Sequence, residues 1–127
     1  MFNFTISNNG IITMTRGDTV KVPIFINAGD NTDYIRYTLE EGDTLYFGIM
    51  EPEAPFEKSL IRKVLTKDDL NQYGDVEIEL SLNDTQYLQT GTYYYEAKLK
   101  QVRLLDNGQT SEVINTVIPR RKFIIVE

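Results

Sequence analysis

Between Thr19 and Asn27 the side chains alternate without a break: Val20, Val22, Ile24 and Ile26 on one side, Lys21, Pro23, Phe25 and Asn27 on the other. A period of two is the geometry of a strand with one dry face, and an amphipathic helix cannot produce it. The same pattern recurs in three further places. Thr44 to Met50 sets Leu45, Phe47 and Ile49 on one face. Asp75 to Leu82 sets Val76, Ile78, Leu80 and Leu82 inside, with Glu77, Glu79 and Ser81 outside. Thr92 to Gln101 sets Tyr93, Tyr95, Ala97 and Leu99 against Tyr94, Glu96, Lys98 and Lys100. Segments that agree on one-sided burial describe antiparallel sheets packed on a common core.

Turn residues punctuate the chain at Asn8-Asn9-Gly10, Arg16-Gly17-Asp18, Gly29-Asp30-Asn31, Gly42-Asp43, Tyr73-Gly74-Asp75, Thr90-Gly91 and Asp106-Asn107-Gly108. Further strands are expected at Ile11 to Thr15, Ser59 to Leu65, Glu112 to Ile118 and Arg121 to Val126, and a single helical turn within Lys67 to Gln72. Pro23 cannot donate a ladder hydrogen bond, so its strand belongs at an edge or carries a bulge. The segment Leu88-Gln89-Thr90-Gly91-Thr92-Tyr93 resembles the tyrosine corner of immunoglobulin and fibronectin type III sandwiches, in which a Tyr near the start of strand F bonds to upstream backbone. In that likeness Leu88, Gly91 and Tyr93 form the corner, Tyr95 stands at the place of the second Cys, and Phe47 at that of the core Trp. The expected fold is all-β: one immunoglobulin-like antiparallel β-sandwich of about seven to nine strands, covering residues 1–127 as a single domain.

The chain has no cysteine and no histidine. Disulfides, thiolate chemistry and zinc fingers are thereby excluded, and a hydrolytic mechanism would have to rest on carboxylates, Lys or Tyr. A formal net charge of −6 opposes attraction to nucleic-acid phosphates and to anionic membranes. No apolar run approaches the roughly 20 residues that cross a bilayer, and the opening Met1 to Ile6 lacks the basic and apolar regions of a signal peptide. The expectation is a protein that is not an enzyme and needs no cofactor.

Arg16-Gly17-Asp18 spells an integrin-recognition tripeptide, but a tight turn accounts for the same residues. Asp30, Asn31 and Asp33 offer oxygens for Ca²⁺ without the later bidentate Glu of an EF-hand loop. Glu51, Glu53, Glu57, Asp68 and Asp69 contain enough carboxylates for glycoside hydrolysis, which needs two of them across a sugar-sized cleft. The Asn-x-Thr sequences at Asn3 and Asn83 matter only for a secreted protein. Phe25 and Tyr94 point outward in the alternation, where aromatics either anchor a partner, stack on sugars, or pack across strands. Arg120-Arg121-Lys122 is a basic run on an acidic body, suited either to docking and self-association or to guarding an edge. Phe25, Tyr94, Arg120, Arg121 and Lys122 are therefore the candidate interface.

Over nearly its whole length the chain resembles small immunoglobulin-like proteins of tailed phages and prophages, and most of all the N-terminal domain of baseplate upper proteins. The likeness is carried by Gly17-Asp18-Thr19 before the Val20 to Ile26 strand, and by Gly42-Asp43-Thr44 leading into Leu45-Tyr46-Phe47-Gly48-Ile49. It continues through Lys63-Val64-Leu65-Thr66, Gly74-Asp75-Val76, Asp84-Thr85 and the Leu88, Gly91, Tyr93 corner to Lys98-Leu99 and Phe123-Ile124-Ile125. The resemblance implies a virion structural protein of a tail, baseplate or head-attachment module, assembled in the bacterial host cytoplasm. Its implied partners are other virion proteins and further copies of itself. Baseplate upper proteins usually continue into a helical or coiled-coil stalk, which the resemblance up to Glu127 does not include, so it does not extend to the trimeric stalk or to receptor-binding-protein docking. The alternative is a carbohydrate-binding β-sandwich module, disfavoured by the absence of Trp.

Overall fold

The computed structural model describes residues 4–6, 10–27 and 36–127, and the strands among them run in the order that the alternation sets. They are β1 (Phe4–Ile6), β2 (Ile12–Thr15), β3 (Val20–Ile24), β4 (Ile26–Asn27), β5 (Arg36–Tyr37), β6 (Asp43–Met50), β7 (Ile61–Leu65), β8 (Val76–Leu80), β9 (Gly91–Leu104) and β10 (Thr110–Val126). One short helix, α1 (Leu82–Thr85), and two 3₁₀ turns at Phe56–Lys58 and Lys67–Asp69 complete the described elements. The protein is all-β.

Six strands form the large sheet in the order β1-β2-β10-β9-β6-β7. Its pairings are antiparallel except that β2 lies parallel to the end of β10, with Ile12 opposite Phe123 and Met14 opposite Ile125. The pairs β3–β8 and β4–β5 make two small antiparallel ladders. Their dry faces share one core with the large sheet: Val20, Val22, Ile24, Ile26, Val76, Ile78 and Leu80 meet Leu45, Phe47, Ile49, Tyr93, Tyr95, Ala97 and Leu99. Phe47, Tyr95 and Phe123 stack through its centre, with ring centroids 5.9 Å and 6.4 Å apart.

Two glycines set how closely the layers approach. Gly42 has φ +88, and a Cβ there would stand 2.3 Å from the carbonyl oxygen of Val102. The turn therefore takes no other residue without strain, and it lets Val102 N–H donate to Gly42 O at 2.9 Å. At Gly48 a Cβ would meet Ser59 Oγ at 2.2 Å, so the loop after β6 lies directly on the sheet's outer surface.

The structure corrects the sequence reading in four places. Leu82, expected inside as the end of a strand, is 52% exposed and opens α1. The cause is local: the Asp84 carboxylate accepts from Ser81 N at 2.9 Å and from Lys63 Nζ at 3.0 Å, and this caps a helical turn where the strand would have continued. The strand from Thr19 to Asn27 is interrupted at Phe25, between β3 and β4. The segments Glu112 to Ile118 and Arg121 to Val126 are one strand, since register shifts between Thr116 and Arg121 absorb Pro119 without ending β10. The helical turn in Lys67 to Gln72 is a 3₁₀ turn ending at Asp69.

Candidate interaction surface

The Leu88–Tyr93 corner is built from both ends of the chain. Tyr93 Oη donates to the carbonyl of Gln89 at 2.8 Å. Leu88 N–H donates to Thr85 O at 3.0 Å, and Leu88 O in turn accepts from Arg16 Nη1 at 3.3 Å. Thr85 is fully buried, its Oγ1 accepting from Gly17 N at 2.9 Å. Gly91 starts β9 at φ +146. Arg16 also pairs with Glu127 at 2.8 Å. The Arg-Gly-Asp tripeptide is thus a turn clamped onto the corner, its guanidinium already engaged. Replacing Tyr93 by Phe is expected to cost about 1 kcal/mol, read as a lower urea midpoint at unchanged slope; no shift would mean that the Gln89 bond adds nothing.

At the opposite end of β6 a buried carboxylate ties three strands together. Asp43 Oδ2 accepts from Glu40 N at 2.9 Å and from Tyr37 Oη. Oδ1 is buried and faces Arg103 Nη2 at 2.7 Å, an ion pair whose angle is not that of a hydrogen bond. Gln101 and Arg103 both donate to Tyr37 Oη, at 3.0 Å and 3.2 Å. Burial alone pushes the Asp43 carboxyl up, but the hydrogen bonds from Tyr37 and Glu40 and the ion pair with Arg103 outweigh it and hold the group below its ordinary value. Burial, then the Asp43 carboxylate, pushes the Tyr37 phenol up. No local pattern marks this cluster, because a lone Asp after a Gly reads as a turn residue.

The candidate interface residues fall on separate surfaces. Phe25, 52% exposed, lies where β3 passes into β4, with the Arg36 guanidinium 4.4 Å from its ring centroid. It lines two adjoining grooves at the seam between β4 and β10, of about 470 Å³ and 240 Å³, both of which also reach Val117. Tyr94 is half-buried on the other side of the large sheet, opposite Lys122 on β10 and Met50 on β6. Arg120 is spoken for: Nε meets Glu96 at 2.9 Å and Nη2 donates to Ala54 O at 2.7 Å. Arg121 lies against Gly10 and Tyr95. Lys122 has no ion pair among the described residues.

Other candidates disperse as well. Glu57 and Asp68 line different grooves, the first with Tyr46, Phe56 and Val64, the second with Glu40, Glu41 and Lys67. The Asp69 carboxylate caps its own turn through Thr66 N at 2.8 Å. Among the described residues no group of three or more acidic side chains converges as a metal site would. Asp30, Asn31 and Asp33 lie outside the described residues.

What sequence reasoning missed is the reach of the β9–β10 hairpin. The β6 pairing ends where Asp43 meets Gln101, yet β9 and β10 stay paired to Leu104 and Thr110. This two-stranded end carries Leu104, 76% exposed, with exposed Leu105, Val113 and Ile114 nearby. Apolar residues flanking Asp106-Asn107-Gly108 were the available signal, because a hairpin turn places its neighbours beyond the core. Searches of family models, curated proteins and solved structures return no significant match to the chain.

Proposed function

We propose that the chain is an immunoglobulin-like β-sandwich serving as a structural component of a phage or prophage virion, acting through protein–protein contacts with other virion proteins and with its own copies. One observation carries the contact-making role: exposed Leu104 and Leu105 sit on a hairpin that extends past the core, while the charged groups nearest the core are tied in structural pairs. Apolar side chains grouped on a projecting element favour a partner surface. The immunoglobulin-like reading is supported by strand placement, with β3 and β8 in one layer and β6, β9 and β10 in the other, as strands B and E oppose C, F and G in that fold. The Tyr93 bond to Gln89 supports it further. The virion assignment draws on the sequence resemblance described above.

Co-expression with tail, baseplate and head-attachment proteins from the same genome tests this. Capture of one of them is expected, weakened about tenfold, or about 1.4 kcal/mol, by the double substitution Leu104→Asp, Leu105→Asp. Failure to capture any would remove the virion reading. A carbohydrate-binding module is the alternative, since Tyr46 and Phe56 share a groove of about 340 Å³ with Glu57 and Arg62. A silent glycan array would eliminate it.

A further inference from the structure

Free strand edges invite pairing with other chains, and proteins guard them with charge, Pro, bulges or brevity. Most edges here are guarded. β7, at one margin of the large sheet, is five residues long and carries Arg62 and Lys63. β1, at the other, has three residues. β3 holds Lys21 and Pro23, and β8 holds Glu77 and Glu79.

The exception lies inside the large sheet. β2 covers β10 only from Phe123 to Val126, so upstream of it β10 has β9 on one side and no strand on the other among the described residues. From Thr110 to Thr116 its pairing with β9 is in unbroken register, from Leu104 to Lys98. This stretch, Thr-Ser-Glu-Val-Ile-Asn-Thr, contains no Pro, no bulge and no basic residue. Val113 and Ile114 are 46% and 58% exposed. Its one charge, Glu112, is held by Lys100 at 3.6 Å.

We propose that this open edge pairs antiparallel with the same edge of a second copy, joining two large sheets across a two-fold axis at Val113. Three features select a second copy over a foreign strand. The chain's net charge of −6 repels another copy on average, and this edge, with one acidic residue already paired, is locally close to neutral, so repulsion is weak there. With the axis at Val113, residues meet compatible counterparts: Val113 faces Val113, Asn115 faces Ser111, Thr116 faces Thr110, and Ile114 faces Glu112. No like charges stand opposite each other, which is the cross-strand condition for a stable pair. An acidic foreign strand would find no basic residue in the stretch to recognise, and a basic one would find only Glu112, already paired with Lys100. The shifted register beyond Thr116 and the turn before Thr110 limit the pairing to this stretch. So short a contact buries less than the roughly 800 Å² per partner of a standard interface, so the dimer is expected at micromolar rather than nanomolar concentration.

The pairing deepens the self-association part of the functional reading and rests on that part alone, so virion-protein capture can fail while it stands. Sedimentation of the full chain over a micromolar concentration series is expected to show a monomer–dimer equilibrium that strengthens with salt as the net charge is screened. Val113→Lys sets two like charges face to face at the axis and is expected to weaken the dimer at least about tenfold, with an unchanged far-ultraviolet spectrum. Because the chain has no cysteine, Val113→Cys gives a second, independent reading: mild oxidation is expected to yield a cross-linked dimer. Asn115→Cys alone is expected to cross-link poorly, and the Ser111→Cys, Asn115→Cys pair well. A chain that stays monomeric throughout overturns the proposal. So does a dimer indifferent to Val113→Lys, or equal cross-linking from Val113→Cys and Asn115→Cys.

Discussion

Truncating Phe47 to alanine is expected to cost about 4 kcal/mol of folding free energy. The ring is 1% exposed at the centre of the large sheet. It packs 5.9 Å from Tyr95, which in turn meets Phe123 edge-on, so Tyr95 loses one of its two ring partners when it goes. Collapse into the void is restricted. Ala97 and Lys63 flank Phe47 across two ladders, and the backbone of β6 is held between β7 and β9. A side chain clamped on both edges cannot be replaced by movement of its own strand, so the cavity penalty adds to the lost transfer energy. Urea denaturation measures the loss as a lower midpoint at constant slope. A cost under about 1.5 kcal/mol would be that of a half-exposed position and would contradict the central place given to this residue. Phe47→Leu keeps most of the volume and is expected to recover more than half of the loss.

The strands that could be read from sequence are those with one dry face and one wet face. Val20, Val22, Ile24, Leu45, Val76, Ile78 and Leu80 announce themselves because each alternates with a residue that stays in water or half-covered, and Phe47 and Ile49 continue the phase although Gly48 and Met50 between and after them are buried. The signal fails where burial is not decided by the strand itself. Leu82 is in phase with Leu80, but the Ser81 and Asp84 cap diverts the backbone into α1 and turns the side chain out. Apolar phase alone does not register that Ser81 and Asp84 stand at capping-box spacing. Pro119 reads as a terminator, yet it falls where β10 bulges, the one place inside a strand that tolerates a missing donor.

The surface was less legible than the fold. Outward pointing could be inferred for Phe25 and Tyr94, but not that they lie on different surfaces, because that depends on which sheet each strand joins. Arg120 looked free as part of a basic run, and it is consumed by Glu96 and Ala54 across strands distant in sequence. Val113 and Ile114 look like core residues by type. Their exposure follows from their place at the margin of the core, where the pairing with β6 ends and the β9–β10 hairpin runs on alone, a fact of register that no local pattern encodes.

Removing the Asp43 carboxylate by alanine substitution is expected to cost about 3 kcal/mol and to alter the response to acid. The carboxylate is the common acceptor for Tyr37 Oη and Glu40 N–H and the counter-charge of Arg103. Its loss unties the turn at Gly42 from β5 and removes one of its ties to the end of β9, leaving the Val102 N–H bond to Gly42 O. Arg103 is 38% exposed and also touches Glu40 at 3.3 Å, so water relieves part of its loss and the cost stays below that of a deeply buried pair. The folded carboxyl lies below its ordinary value because hydrogen bonds and the Arg103 charge outweigh burial. Its stabilisation is therefore complete above the unfolded carboxyl value of about 3.9 and is lost as pH falls through the lower folded value. In Asp43→Asn the acid limb of the stability–pH curve is expected to flatten, with the neutral-pH stability reduced. Tyr37 and Tyr95 act at the other end: burial comes first in raising both phenols. Their contribution is whole below the unfolded value of about 10 and declines as pH rises through the folded values. Tyr37→Phe is expected to soften that alkaline limb and, because it removes a bond that holds the Asp43 carboxyl down, part of the acid limb as well; Asp43→Asn removes the neighbour that raises Tyr37 and likewise softens both. If thermal unfolding followed across pH gave identical acid limbs for the wild type and Asp43→Asn, the Tyr37, Glu40 and Arg103 contacts could not be holding the carboxyl down.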